Sequence, residues 1–240
     1  LKIMAYNQQL VQDQLRQTTK LMIELSKETF SVTPEIGKAV GTANNSIEQS
    51  KSDLTNRNIQ NILNKKITIA GTAVTLAIPA QDSTLLHHII QFLRPGDILC
   101  IDRLGDDKHA CLGGGVAAAI VASGCSGVII DGPCTDTPEL KEYGLQVWCK
   151  GTSPITTRIY NIGGSFNVPI SIGGSVVNPG DLVIADFSGV LIMPENEAEI
   201  DIDWALEKQK AEPSTHKKLF DGEYIGDLSG ASSLVKNKSN

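Results

Sequence analysis

Two hydrophobic periods run along this chain, and the change between them falls near residue 65. Before it, "NQQLVQDQLRQTTKLMIEL" sets Val11, Leu15, Met22 and Leu25 at helical spacing, with Thr18 in the remaining gap. "SVTPEIGKAVG" opens on Ser/Thr and Pro and closes on Gly41, start and stop signals of a helix. "SKSDLTNRNIQNILNKK" reads as a further short helix, its last lysines suited to a helix C-terminus. Residues 1–64 are therefore expected to form a helical N-terminal arm.

After that point the pattern shortens. "ITIAGTAVTLAI" alternates β-branched residues about Gly71 and predicts a strand bent at the glycine. "DSTLLHHIIQFL" predicts a helix capped by Asp82 or Ser83, with Leu85, Leu86, Ile89 and Ile90 on its apolar face. "RPGDILCID" is a turn and a buried strand, "GGGVAAAIVASG" a closely packed helix, and "GVIID" the next strand. That order is a β-α-β unit and implies parallel pairing. Further on, "LQVWCK", "VPISIGGSVV" and "DLVIADFSGVLIM" predict short strands joined by glycine-marked hairpins, and "ENEAEIDIDWALEKQKAE" an amphipathic helix. "RPGDILCID" and "NPGDLVIAD" echo each other as Pro-Gly-Asp turn, strand and acid. The reading is one structural domain overall: the arm over 1–64, an α/β core with mixed sheets over 65–200, and a C-terminal helix and tail over 201–240.

Composition narrows the function. A length of 240 residues allows a substantial core. A net charge of −6 argues against nucleic acid as the main partner. No apolar run approaches the roughly 20 residues of a membrane span, and no signal-peptide pattern opens the chain. The five cysteines are odd in number and form no CxxC pair, which fits reduced, mostly buried thiols and a cytoplasmic location. Cys134 could be a nucleophile, but no histidine is near it in sequence to activate it.

Three segments could carry chemistry. Gly113, Gly114, Gly115 and Val116 begin a helix, so their amides could receive a carboxylate or phosphate; alternatively the glycines allow close packing. In "GVIIDGPCTDTPEL", Asp131 and Asp136 follow an abruptly ended strand. Asp136 could cap the helix beginning at "TPEL" or hold a hard divalent cation. "DRLGDDKHACLGGG" mixes Asp102, Asp106 and Asp107 with Arg103, Lys108 and His109, as a solvated loop or as a lip that meets an anionic substrate.

Taken in order and spacing, "GTAVTL", "DSTLLHHI", "PGDILCID", "GGGVAAAIVASGCSGVIIDGPCTD" and "VVNPGDLVIADFSGVLIMP" resemble the RraA-like family. That family holds divalent-metal-dependent 4-hydroxy-4-methyl-2-oxoglutarate / 4-carboxy-4-hydroxy-2-oxoadipate aldolases and RraA regulators that inhibit an endoribonuclease. The resemblance implies a three-layer ββα swivelling fold and homotrimers, often stacked as hexamers, with sites between subunits. It also implies a motif of Asp, twenty residues, then Arg-Asp. The last Asp holds Mg²⁺ or Mn²⁺, the Arg stabilises the pyruvate enolate, and amides at the glycine-marked helix start receive the pyruvate carboxylate. Here the last Asp is Asp136, while Thr135 stands at the Arg position and Gly114 at the first acid. Loss of such a donor typically costs about 10²–10³ in rate. Arg158 is the expected substitute, with Arg103 and Lys108 as further candidates; the resemblance also implies an acid from the C-terminal helix of a neighbouring subunit, for which Glu212 is the candidate.

The function implied is a metal-dependent lyase on a small 2-oxo acid, releasing pyruvate by aldol cleavage or decarboxylating an oxaloacetate-like acid. The alternative is a catalytically inactive binding or regulatory protein. A methyltransferase is disfavoured, because no S-adenosylmethionine-type glycine loop follows a first strand.

Overall fold

A computed structural model describes residues 53–54, 58–63 and 67–238. The helices expected around residues 11–25 and 33–41 lie outside this range. The chain divides into two compact units, Leu1–Ala198 and Glu199–Asn240.

The first unit is a mixed α/β fold built on one curled sheet. Its strands are β1 (Asp53–Leu54), β2 (Gln60–Asn61), β3 (Ile69–Ala77), β4 (Asp97–Asp102), β5 (Gly127–Ile130), β6 (Val147–Cys149), β7 (Ser165–Phe166), β10 (Leu182–Ala185) and β11 (Val190–Met193). The order is β1-β11-β10-β3-β4-β5-β6-β2, with β7 also paired to β3. Strands β3 to β6 run parallel, as the β-α-β pattern predicts, and β10, β11, β1, β2 and β7 pair antiparallel. Strands β8 (Ile170–Ile172) and β9 (Ser175–Val177) form a separate hairpin.

The strands at 53–54 and 60–61 correct the helix expected there. Each pairs with an edge of the sheet, and those backbone bonds override the local helical pattern. They also require the sheet to curl. Six residue-to-residue steps, Leu54 to Gln60, span at most about 20 Å, whereas the eight strands laid flat would separate β1 from β2 by about 34 Å.

Side chains alternate between two cores. On one face, Ile98 and Cys100 of β4, Ile129 of β5 and Trp148 of β6 pack with Ile170, Ile172, Val183 and Ile192. The buried Trp148 indole donates to the Asp186 carbonyl over 2.6 Å. On the other face, Leu99, Ile101, Val128, Ile130, Val147 and Cys149 pack under helices α1 (Thr84–Ile89), α2 (Gly114–Ser123) and α3 (Thr137–Tyr143). This period of two is why the uninterrupted apolar runs of β4 and β5 suit strands covered on both faces.

The Pro-Gly-Asp echo is one turn used twice. Asp97 N donates to Arg94 O and Asp181 N to Asn178 O, each at 3.1 Å, while Gly96 (φ 92°) and Gly180 (φ 96°) take the left-handed position. The two turns launch β4 and β10, which flank β3. Gly71 makes no bend: a Cβ there would stand 2.3 Å from Gly96 O, so the glycine permits close approach of that turn.

The second unit continues helix α4 (Glu195–Phe220), which begins in the first, through α5 (Ile225–Leu228) and α6 (Ala231–Lys238). Phe220, Tyr224, Ile225, Leu234 and Val235 are exposed on it. No helix among the described residues is long and apolar enough to cross a membrane.

Candidate functional site

The parallel strands deliver their C-terminal ends, and the helix starts that follow, to one edge of the sheet, where open α/β sheets bind ligands. Strand β5 ends at Ile130 and the loop 131–136 leads into α3. Across it, 111–113 leads into α2. Thr135 N donates to Leu112 O at 2.9 Å and stitches the two loops together.

Asp136 sits at the head of α3 in the left-handed region, φ 52°, and makes no side-chain cap to its own helix. Its Oδ2 instead accepts from Gly114 N, the first residue of α2, over 2.9 Å and 22 residues of sequence. Thr135 Oγ1 donates to Oδ1 at 3.2 Å. The side chain is exposed, and a carboxylate offers about four acceptor positions, so solvent-facing positions remain after these two bonds.

The glycines therefore divide their roles. A Cβ at Gly113 would stand 2.6 Å from Asp136 Oδ2, so this glycine lets the carboxylate reach the helix start. Gly114 gives its amide to that carboxylate. A Cβ at Gly115 would meet nothing within 4 Å. The amides of Gly115 and Val116 have no intrahelical acceptor in the first turn. Gly113→Ala is expected to push Asp136 aside and speed amide exchange at Gly114 about tenfold, the worth of a ~1.5 kcal/mol charge-assisted bond. Gly115→Ala should leave that exchange unchanged.

Glu139 of α3 stands beside Gly114: its Cβ and Cγ lie 3.4 and 3.5 Å from where a Gly114 Cβ would be. Sequence reasoning passed over Glu139; its only signal was an acid in the first turn of α3. Among the described residues, no group of three or more His, Cys, Asp or Glu is placed to hold a metal. The donor set at Asp136 thus fits a hard, largely hydrated cation such as Mg²⁺, which takes one or two carboxylates and keeps waters. It does not fit zinc.

The basic candidates scatter. After β6 the chain crosses the strand ends in extended form, with Thr152 beside Cys134, Thr156 beside Ala110 and Arg158 beside Asp82. Arg158 is thereby carried away from Asp136: its backbone N donates to Gln81 O, and its exposed guanidinium to Thr156 Oγ1 and Thr157 O. Arg103 is fully buried, donating to Ala80 O, Asp106 Oδ2 and His109 O. It braces the 103–110 loop from within and is no lip residue. Burial pushes the Asp106 carboxyl up, but hydrogen bonds from His109 and the Arg103 charge outweigh this and hold it below its usual range. Lys108 is exposed, and its carbonyl accepts from Ser153 Oγ. Ser153 N donates in turn to Cys134 O, one residue before Thr135. Glu212 lies on α4 in the second unit, 3.5 Å from His216 Nε2.

The other strand-end acids are structural. Asp102 Oδ2 accepts from Ser171 N at 3.2 Å, and Asp131 Oδ2 from Gly173 N at 3.0 Å, so both hold the β8–β9 hairpin. Asp131 also pairs with Lys150. Cys134 is not poised as a catalytic nucleophile: it is fully buried, and contact with the Cys149 thiol and burial both push its own thiol up.

Residues 38–192 match the family described as RraA-like, Aldolase/RraA. A Halalkalibacterium halodurans protein, provisionally named a 4-hydroxy-4-methyl-2-oxoglutarate aldolase, is 30% identical over 159 residues, which is 66% of this chain and 75% of that one. The solved structure of the RNA-processing inhibitor RraA from Thermus thermophilis superposes with TM-score 0.58 at 26% identity, over 64% of this chain and 92% of that one. Streptomyces coelicolor RraAS2, described as an unusual member of the RNase ES inhibitor RraA protein family, gives TM-score 0.64 at 27% identity, over 73% and 90%. Matched over more than half of its length, this chain belongs to the RraA-like family.

Proposed function

We propose that this protein is a cytoplasmic lyase acting on a small 2-oxo acid with Mg²⁺ or Mn²⁺. It would release pyruvate by aldol cleavage or decarboxylate an oxaloacetate-type acid. The observation that carries this reading is the exposed Asp136 carboxylate pinned across the start of α2 by the Gly114 amide. The free amides of Gly115 and Val116 at the same helix start would take the substrate carboxylate. Two carboxylates this close repel each other unless a cation stands between them, which is the physical argument for a divalent ion here.

Asp136 would hold that ion, chiefly through waters, with Glu139 as an outer carboxylate. Bound there, the ion supplies positive charge beside the oxygen that becomes an enolate. Thr135 Oγ1 would orient Asp136 or donate to the substrate, a neutral contact where the aldolases use arginine. The Arg158 guanidinium bonds Thr156 and Thr157 of its own segment, and Lys108, exposed on a loop tied through Ser153 to Cys134, would be a second candidate cation. Exposed Ile155, Ile159, Tyr160 and Ile162 on the crossing segment support the homotrimer or hexamer that the family resemblance implies.

A second reading, a catalytically inactive binding or regulatory protein, is favoured by Gly114 and Thr135 replacing the acid and the arginine. Pyruvate release from a panel of 4-hydroxy-2-oxo acids and oxaloacetate, with and without Mn²⁺, separates the two. Metal-dependent turnover that falls at least ~10²-fold in Asp136→Ala supports the lyase. A flat panel, unchanged by that substitution, leaves the regulator.

A further inference from the structure

Of the five cysteines, all free and buried, two touch: Cys134 Sγ and Cys149 Sγ are 3.5 Å apart. Their backbones are held differently. Cys149 lies in β6, with β5 paired on one side and its own Cα opposite Gln60 of β2 on the other. Cys134 lies in the loop before Asp136, and its main chain is tied to the crossing segment, through Gly151 O and Ser153 N. Both side chains are in the helix-side core. Neither sulfur has a fixed polar partner stronger than the contact from Cys149 Sγ to Gly151 O at 3.2 Å.

We propose that Cys134 and Cys149 are a modification site: a dithiol that hydrogen peroxide converts to a disulfide, displacing the Asp136 loop. One sulfur attacks a peroxide oxygen, breaking the O–O bond, releasing one water and becoming a sulfenic acid. The other sulfur displaces its hydroxyl as a second water. Two thiol hydrogens and two electrons leave the protein, and the peroxide is reduced to two waters. Closing the sulfurs from contact to a bond of about 2.05 Å requires ~1.5 Å of approach. With Cys149 fixed between two strands, the loop residue makes that movement. Thr135 and Asp136 follow it, so the Asp136–Gly114 bond is the first contact to loosen.

The test is independent of any enzymatic activity. Native full-length protein is treated with hydrogen peroxide, unfolded and alkylated, then mapped by peptide mass spectrometry. Loss of two free thiols with a Cys134–Cys149 cross-link is expected, absent in Cys134→Ser and in Cys149→Ser and retained in Cys100→Ser. Five free thiols after treatment, a different pairing, or sulfinic and sulfonic acids in place of the cross-link overturn the proposal. In the cross-linked protein, the Gly114 amide should exchange about tenfold faster, the same loss of a charge-assisted bond as above. A cross-link with unchanged exchange overturns the coupling to the Asp136 loop.

Discussion

Thr135→Arg is expected to raise Mn²⁺-dependent pyruvate release by about 10²-fold or more. Thr135 is half-buried, directly precedes Asp136 and gives it a 3.2 Å hydrogen bond. A hydroxyl there contributes one neutral donor. A guanidinium would contribute a permanent charge and a fork of donors, matched to a developing enolate and an adjacent carboxylate. Lysine at the same position should recover less, lacking the fork, and methionine nothing, which distinguishes charge from bulk. The gain should appear in kcat more than in KM if the new donor acts on the charge that develops during reaction. Three folded variants with wild-type turnover would mean that Thr135 does not face the substrate, and the assignment of the site would fall with it.

Asp82→Ala is expected to destabilise the first unit by about 3 kcal/mol, because it removes the acceptor of four part-buried hydrogen bonds at once. The buried Asp82 carboxylate accepts from Thr84 N, Thr84 Oγ1, Tyr160 N and Ile162 N, at 2.6–3.1 Å. It thereby binds the end of the crossing segment to the start of α1. Burial pushes its carboxyl up, but these hydrogen bonds prevail and hold it well below the usual carboxylate range. The folded pKa thus lies beneath the unfolded value of about 3.9, so this stabilisation is complete above that pH and fades as pH falls toward the folded value. Urea unfolding of wild type and variant should therefore differ most near neutrality and converge progressively below about pH 4. A constant gap down to strong acid would show that shape, not charge, is what Asp82 contributes. Asp82→Asn should lie between the two, keeping one acceptor oxygen and losing the other.

Local features of the chain were legible where chemistry is local. The Pro-Gly-Asp turns need only proline's fixed φ and a glycine at positive φ, so both appear at the places the residues indicate. The uninterrupted apolar runs of β4 and β5 and the glycine-bounded α2 follow from burial on both faces and backbone freedom. The short strands at 53–54 and 60–61 were not legible, because their partners are β11 and β6, more than eighty residues away. Gly71 misled for a related reason: a glycine that admits a distant carbonyl looks, in sequence, like one that bends its own strand.

By itself, the sequence determined which groups stand in the Asp136 loop: an aspartate preceded by a threonine, downstream of a glycine-led helix start. Side-chain type is all those statements require. Only the tertiary structure decided that Asp136 faces the Gly114 amide and not its own helix. It likewise placed Glu139 against Gly114, Arg103 inside the core, Arg158 beside Asp82, and Cys134 against Cys149. Each of these relations joins separate elements or loops brought together by the β-α-β crossover and by the extended segment that traverses the strand ends. Periodicity reports which face of an element is buried; it carries no information about which other element covers that face.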